Sequence, residues 1–272
     1  MEILCYGCGR GENPENTIEA IRHCLQINAD WHIEMDLQIT KDGEIILFHD
    51  THTERITGVK NAVHKRTLQE IEQLNAAYNF AVNNTFPYRD HPLKIPTLKE
   101  VCSLFPTAKL ILDVHTDNLR SVDKIITIIE RGNLTHPPII VSQYDTIIAA
   151  FKEAKPQWQY GAATRELKKM VFSSFLYLDT FFPIRSDILL VPVKYGNLTL
   201  LTKRVIKHCK KRNKKIWAWL QEGNKNQTDK EVITINSVQQ LMPLLQKKVD
   251  GAFTETPEKL YREIAKNTVF LG

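Results

Sequence analysis

HIEMDLQITKDGEIILFHD, residues 32–50, is the stretch on which the fold of this 272-residue chain turns. Ile33, Met35 and Leu37 alternate with Glu34 and Asp36, so a strand over 32–37 puts the apolar side chains on one face and both carboxylates on the other. Thr40-Lys41-Asp42-Gly43 predicts a turn, and the apolar run over 44–49 ends at His49, which sets an imidazole at the end of the adjacent strand. Two carboxylates on the inward face of a barrel are costly unless a cation or a base neutralises them. Alternation on an ordinary half-exposed strand would give the same pair, and spacing alone leaves both readings open.

Around this stretch, short runs rich in Ile, Val and Leu recur between amphipathic segments, the alternation expected of a parallel sheet wrapped by helices. Strands are expected over 3–6, 32–37, 44–49, 110–114, 139–142, 160–163, 188–193, 216–220 and 251–253. Those are nine runs for the eight places of an α/β TIM (β/α)8 barrel, so one is extra. Helices are expected over 15–28 (opened by Pro14), 98–104 (opened by Pro96-Thr97), 119–131, 146–154, 200–211 and 238–247. Residues 51–84 hold one helical piece, 68–74, and no good strand. They fall in a small insertion of about 51–94 after the third strand, over one end of a single domain spanning 1–272. Asp113 closes the apolar run at 110–114, with His115 on its face two residues on. Oxygen ligands from separate strand ends suit Mg²⁺ or Ca²⁺ better than zinc.

Composition narrows the class. The formal charge of +5 comes mostly from lysine-rich faces such as 203–215, where no aromatics are interleaved as a nucleic-acid surface would need. A solvated helix is the plain reading there, and an acidic lipid surface the other. Cys5, Cys8, Cys24, Cys102 and Cys209 are odd in number and scattered, which argues for a reducing, cytoplasmic setting. Cys5 and Cys8 form a CxxC, but not at a helix start as redox chemistry would want. The N-terminus lacks the pattern of a signal peptide, and no run approaches the ~20 apolar residues of a membrane span. Residues 170–182 gather Phe172, Phe175, Leu176, Tyr177, Leu178, Phe181 and Phe182. They are read either as a core helix or as a segment that touches a membrane surface.

In order along the chain, Pro14-Glu15-Asn16-Thr17, Ile33-Glu34-Met35-Asp36, Thr40-Lys41-Asp42-Gly43 and His49-Asp50 resemble the signature of glycerophosphodiester phosphodiesterases. The resemblance continues through Arg55-Ile56-Thr57-Gly58, Ile95-Pro96-Thr97-Leu98, Leu112-Asp113-Val114, Trp219 and Val249-Asp250-Gly251, covering nearly the whole chain. Gly11-Glu12-Asn13, Asp113 where many members have Glu, and the apolar 172–182 segment are most similar to the lysophospholipase D branch. The resemblance implies one divalent cation on Glu34, Asp36 and Asp113, His49 as an acid/base, and a phosphodiester or lysophospholipid substrate. It sets Glu15, within its motif, and His115 near the substrate, while Arg10 in the Gly-rich loop, Lys194 after the 188–193 run and Trp219 are further candidates for substrate contact. An ordinary helix opening at Glu15, a surface lysine at 194 and Trp217 as the inward ring are the other readings.

The chain departs from the family where members carry His-Arg-Gly after the first strand. Tyr6, Gly7 and Cys8 stand there, and His115 replaces a usual lysine. Tyr6 is the candidate second proton carrier, although a phenol with an ordinary pKa of about 10 is a poor base at neutral pH. Two outcomes are expected to compete: a phosphodiesterase with altered acid/base residues, and a degenerate barrel that binds metal or phospholipid headgroups without efficient turnover.

Overall fold

A computed structural model describes residues 1–178, 181–221 and 232–267. Eight parallel strands form the barrel: β1 (Glu2–Cys5), β2 (His32–Ile39), β3 (Lys109–Val114), β4 (Ile139–Val141), β5 (Gln159–Tyr160), β6 (Ile188–Pro192), β7 (Lys215–Gln221) and β8 (Gly251–Thr254). They pair in sequence order, with β8 on β1. The seam between β5 and β6 is closed by the parallel bridge Gly161 to Ile188 and by the Ala162 N–H donating to the Ile188 carbonyl at 2.8 Å.

Among the described residues a helix follows each strand: α1 (Ile18–Ile27), α2 (Leu98–Leu104), α3 (Arg120–Arg131), α4 (Asp145–Ala154), α5 (Thr164–Phe175), α6 (Lys203–Lys211), α7 (Val238–Gln246) and α8 (Pro257–Asn267). Two boundaries differ from expectation for local reasons. Asn16 sits at φ +57°, so residues 14–16 form a turn, and α1 starts only after Thr17, whose hydroxyl accepts from the Ala20 N–H at 3.2 Å. Thr202 likewise caps α6, which therefore begins at Lys203 rather than at 200. The strand expected over 160–163 is the two-residue β5.

The extra run is Ile45–Leu47. It is antiparallel to β2, pairing Leu47 with Leu37 and Ile45 with Ile39, and stands outside the barrel count. The hairpin carries the chain back along β2 until the Phe48 N–H donates to the Asp36 carbonyl at 2.9 Å, which delivers His49 to the level of Asp36. The insertion then packs its own small core of Ile46, Phe48, Val63, Ile71, Ala76 and Ile95. It holds a helix at Glu54–Thr57 and another at Leu68–Ile71, shorter than the 68–74 expected. His52, His64 and His91 are exposed on it.

Alternation sorts the core into two layers. Ile33, Met35 and Leu37 join the layer between sheet and helices, while Leu4, Ile111, Val141, Ile188, Trp217 and Phe253 fill the barrel. Trp217 is fully buried and its indole N–H donates to Glu2 Oε2 at 2.7 Å. Trp219, two residues on, joins the same interior cluster but is only part-buried. A Cβ on Gly251 would lie 2.5 Å from the Trp217 ring. Gly251→Ala is therefore expected to destabilise the protein by about 1–3 kcal/mol through overpacking, read as a lower midpoint in urea unfolding. An unchanged midpoint would mean the Trp217 layer can move aside.

Candidate active site

β2 reaches past the barrel rim, and its inward row carries Glu34, Asp36 and Gln38. Register places Asp36 directly beside Asp113 on β3. Glu34 and Asp36 are 2% and 3% exposed, and Asp113 is part-buried. Each of the three offers a carboxylate oxygen within 4.8 Å of the others.

Each carboxylate is answered by a polar or charged group, and His115 serves two of them. Glu34 Oε2 accepts from the Gly7 N–H at 2.6 Å, presented by the tight turn Tyr6–Cys8, in which Gly7 takes φ +52°. A side chain at position 7 would be strained there, as the neighbouring Cys8 is at φ +60°. Asp36 Oδ2 accepts from the Asn16 amide at 2.7 Å, and Asn16 Oδ1 accepts from the Asp36 N–H at 3.0 Å. His115 Nε2 lies 2.9 Å from Asp36 Oδ1 and 3.4 Å from Asp113 Oδ2. The contact with Asp36 is a close ion pair, outside hydrogen-bond alignment.

The electrostatics follow. Burial, with repulsion from Asp36 and Asp113, holds the Glu34 carboxyl well above the usual carboxylate range. Burial works on Asp36 in the same direction, but His115 beside it brings that carboxyl down to about 2. Burial opposes charge on His115 too, yet the carboxylates of Asp113 and Asp36 outweigh it and push the imidazole up to about 12. Burial and the fields of Asp36 and Glu34 raise the Tyr6 phenol well above its ordinary value. Tyr6 therefore holds its proton at neutral pH.

The residues fit a divalent cation. Three buried or part-buried oxygens converge, Asp36 Oδ1 has no aligned hydrogen-bond donor, and the protein brings its own cation, His115, to the same place. An all-oxygen set of this kind suits a hard cation.

His49 is the second imidazole at the rim. Its Nδ1 is 2.6 Å from Asp50 Oδ1, and its ring centroid is 4.5 Å from that of His115. Arg55 grips Asp50 through Nε at 2.7 Å and Nη2 at 3.0 Å, and grips Glu15 through Nη1 at 3.0 Å and Nη2 at 2.7 Å. Glu15, Arg55, Asp50 and His49 thus form one chain from the α1 turn to the rim. Gln38 ties both histidine segments, its amide donating to the His49 and His115 carbonyls at 3.2 and 3.3 Å. Burial disfavours charge on His49, but the contact with Asp50 outweighs it and raises the imidazole pKa.

Other expected residues fall at varying distance from this centre. The Arg10 guanidinium stacks 4.7 Å from the Tyr6 ring and pairs with Glu255 at 3.2 Å. Lys194 is exposed on a hairpin of Lys194–Tyr195 with Leu198–Thr199, and no described contact brings it to the carboxylates. Cys5 and Cys8 are fully buried thiols pushed up by that burial, unlike the accessible, acidic thiols of redox motifs. Asn16, Gln38 and Asp50 were not singled out from sequence. Asn16 lies in the Pro-Glu-Asn-Thr motif, Gln38 continues the period of two from Glu34, and Asp50 is next to His49.

A model of the glycerophosphoryl diester phosphodiesterase family matches residues 8–259. The chain belongs to that family. Human lysophospholipase D GDPD1 is 26% identical over 215 residues, covering 79% of this chain and 67% of the relative. A glycerophosphodiester phosphodiesterase of Caldanaerobacter subterraneus is 24% identical over 258 residues, covering 93% of each. The fold is similar to that of a phosphodiesterase of Oleispira antarctica solved with the product sn-glycerol-3-phosphate, with TM-score 0.73, 18% identity and 97% coverage of both chains. A family domain from Mycobacterium tuberculosis gives TM-score 0.76 and 18% identity, covering 97% of this chain and 98% of that one. Membership places the chain among phosphodiesterase-type proteins built on a TIM barrel.

Because Asp50 is what lifts His49, Asp50→Asn is expected to lower the His49 pKa, so that the ring loses its proton at lower pH. Histidine ring resonances followed by NMR across pH measure it. An unmoved His49 titration would remove Asp50 from its control.

Proposed function

We propose that the chain is a divalent-cation-dependent phosphoric diester hydrolase acting on glycerophosphodiesters or lysophospholipids. The observation that carries this reading is the convergence of Glu34, Asp36 and Asp113 at one rim with His49 locked beside them by Asp50. Relatives named as glycerophosphodiester phosphodiesterase and lysophospholipase D support the substrate class.

A Mg²⁺ or Ca²⁺ ion held by Glu34, Asp36 and Asp113 would neutralise negative charge developing on the phosphate oxygens. The remaining work falls to the chain itself. With Nδ1 engaged by Asp50, His49 is left with Nε2 to give or take a proton at the ester oxygen or the attacking water. The Glu15–Arg55–Asp50 chain fixes the ring and favours its charged form as a proton arrives. Tyr6, kept protonated, donates a hydrogen bond to a substrate oxygen rather than acting as a base. Arg10, beside Tyr6, and Trp219, in the upper interior, are assigned to substrate contact, whereas Lys194 has only its exposed position after β6 to recommend it. His115, kept charged by Asp36 and Asp113, balances those carboxylates, lies against His49 and can donate a hydrogen bond to bound phosphate.

Five free, buried cysteines fit a cytoplasmic setting, and a lipid substrate fits peripheral contact with membranes through 170–182, of which residues 179 and 180 lie outside the described residues. No described helix is long and apolar enough to cross a membrane. A second reading, binding of metal or headgroup without efficient turnover, is favoured by Tyr6 and Gly7 standing where the resemblance expects the first histidine and arginine.

Phosphorus NMR of glycerophosphocholine and lysophosphatidylcholine, with and without EDTA, tests the proposal. Cation-dependent product release is expected, falling by roughly 10²–10⁴ in His49→Ala. Metal binding with no release from either substrate would assign the chain to the second reading.

A further inference from the structure

Segment 170–182 divides sharply. In α5, Met170, Val171, Ser173 and Ser174 are buried, while Phe172 is 65% exposed; beyond the helix Leu176 and Tyr177 are 65% and 74% exposed, and Phe181 is 77% exposed. Large apolar side chains this bare and this close together are unusual on a solvated surface. Arg165, Lys168 and Lys169 lie about one to three turns before Phe172 and Leu176, on the exposed stripe of α5 that leads to its C-cap. Together with Phe172, Leu176, Leu178 and Phe182 they line a groove of about 530 Å³. Two acids lie nearby, Glu166 and the groove-lining Asp145, and the three cations outnumber them. Glu166 accepts from the Ser186 hydroxyl and backbone N–H, and Asp145 accepts from the Arg165 N–H.

The next helix extends the positive field. α6 is packed on α5 through Ser174 Oγ, 3.1 Å from His208 Nδ1, and its sequence KRVIKHCKK contains no acid. The Arg204 guanidinium lies 4.0 Å over the Tyr177 ring.

We infer that α5, with residues 176–178 and 181–182, forms a docking face for anionic lipid bilayers, with Phe172, Leu176, Tyr177 and Phe181 entering the interface and Arg165, Lys168 and Lys169 meeting lipid phosphates. Aromatic tips flanked by cations are what a headgroup boundary selects. Charge disfavours a second copy as the occupant, because a two-fold contact would set the same lysines and arginines against themselves. The evidence for this face is independent of turnover.

Flotation of the full chain in EDTA with vesicles of phosphatidylcholine alone, or with about a third phosphatidylserine, tests it. Binding to the anionic vesicles is expected to be tighter than to neutral ones by about tenfold or more, and to weaken with salt. Lys168→Glu with Lys169→Glu, and separately Phe172→Ser with Phe181→Ser, should each weaken it by a similar factor while leaving the circular dichroism unchanged. No binding to anionic vesicles would overturn the inference, as would equal binding to both vesicle types that ignores the lysine variant. Self-association in light scattering that the phenylalanine variant abolishes, without vesicle binding, would give the face to a second copy. Vesicle binding by a chain that hydrolyses nothing would leave this inference standing and sink only the proposed activity.

Discussion

Three carboxylates crowded into a buried patch at a barrel rim cannot all carry charge unopposed, and the groups around Glu34, Asp36 and Asp113 are arranged to meet that constraint. Glu34 is held toward its protonated form with one N–H from Gly7 against it. Asp36 stays ionised because Asn16 and His115 face it. Like charges at this range titrate as a set, one site yielding so that its neighbour can ionise. A bound divalent cation relieves the same repulsion, which makes the trio a place where metal and protons compete.

The acid/base side of the site depends on the same geometry. β2 continues beyond the barrel and folds back through the hairpin, so His49 returns beside the residues whose charge it must work with. Its orientation is then set from a distance: Glu15 on the α1 turn and Arg55 in the insertion hold Asp50, which holds the ring. A surface ion pair of this sort adds little stability on its own, and its value here lies in direction. The insertion has its own small core, which fixes Arg55 without drawing on the barrel.

Much of this was legible in the sequence because the informative residues are local. Alternation of Ile33, Met35 and Leu37 with Glu34 and Asp36 put the two carboxylates together on one face, and Asp113 was recognisable as the end of an apolar run. The role of the Ile45–Leu47 run was not legible. Ile45 and Leu47 pack into the main core and Ile46 into that of the insertion, so the run is apolar on both faces and imitates a buried parallel strand. The helix start at Thr17 was hidden by Pro14, since the positive φ of Asn16 is a tertiary consequence of its grip on Asp36. Glu15 and Arg55 are 40 residues apart, and no periodicity links them. For 170–182, composition could not choose between core and surface, because α5 buries one face of the segment and bares the other.

The central claim is that the carboxylate trio is a cation site balanced by protons. Calorimetric titration of the EDTA-treated protein with Mg²⁺ or Ca²⁺, in two buffers of different ionisation heat at mildly acidic pH, measures it most directly. Metal needs deprotonated ligands, and Glu34 has a raised pKa, so lowering pH should weaken binding and raising it should strengthen binding. One saturable site that releases roughly one proton per ion, and that is lost in Asp36→Ala, is the predicted result; no saturable heat with either ion, or binding that survives Asp36→Ala, would contradict it.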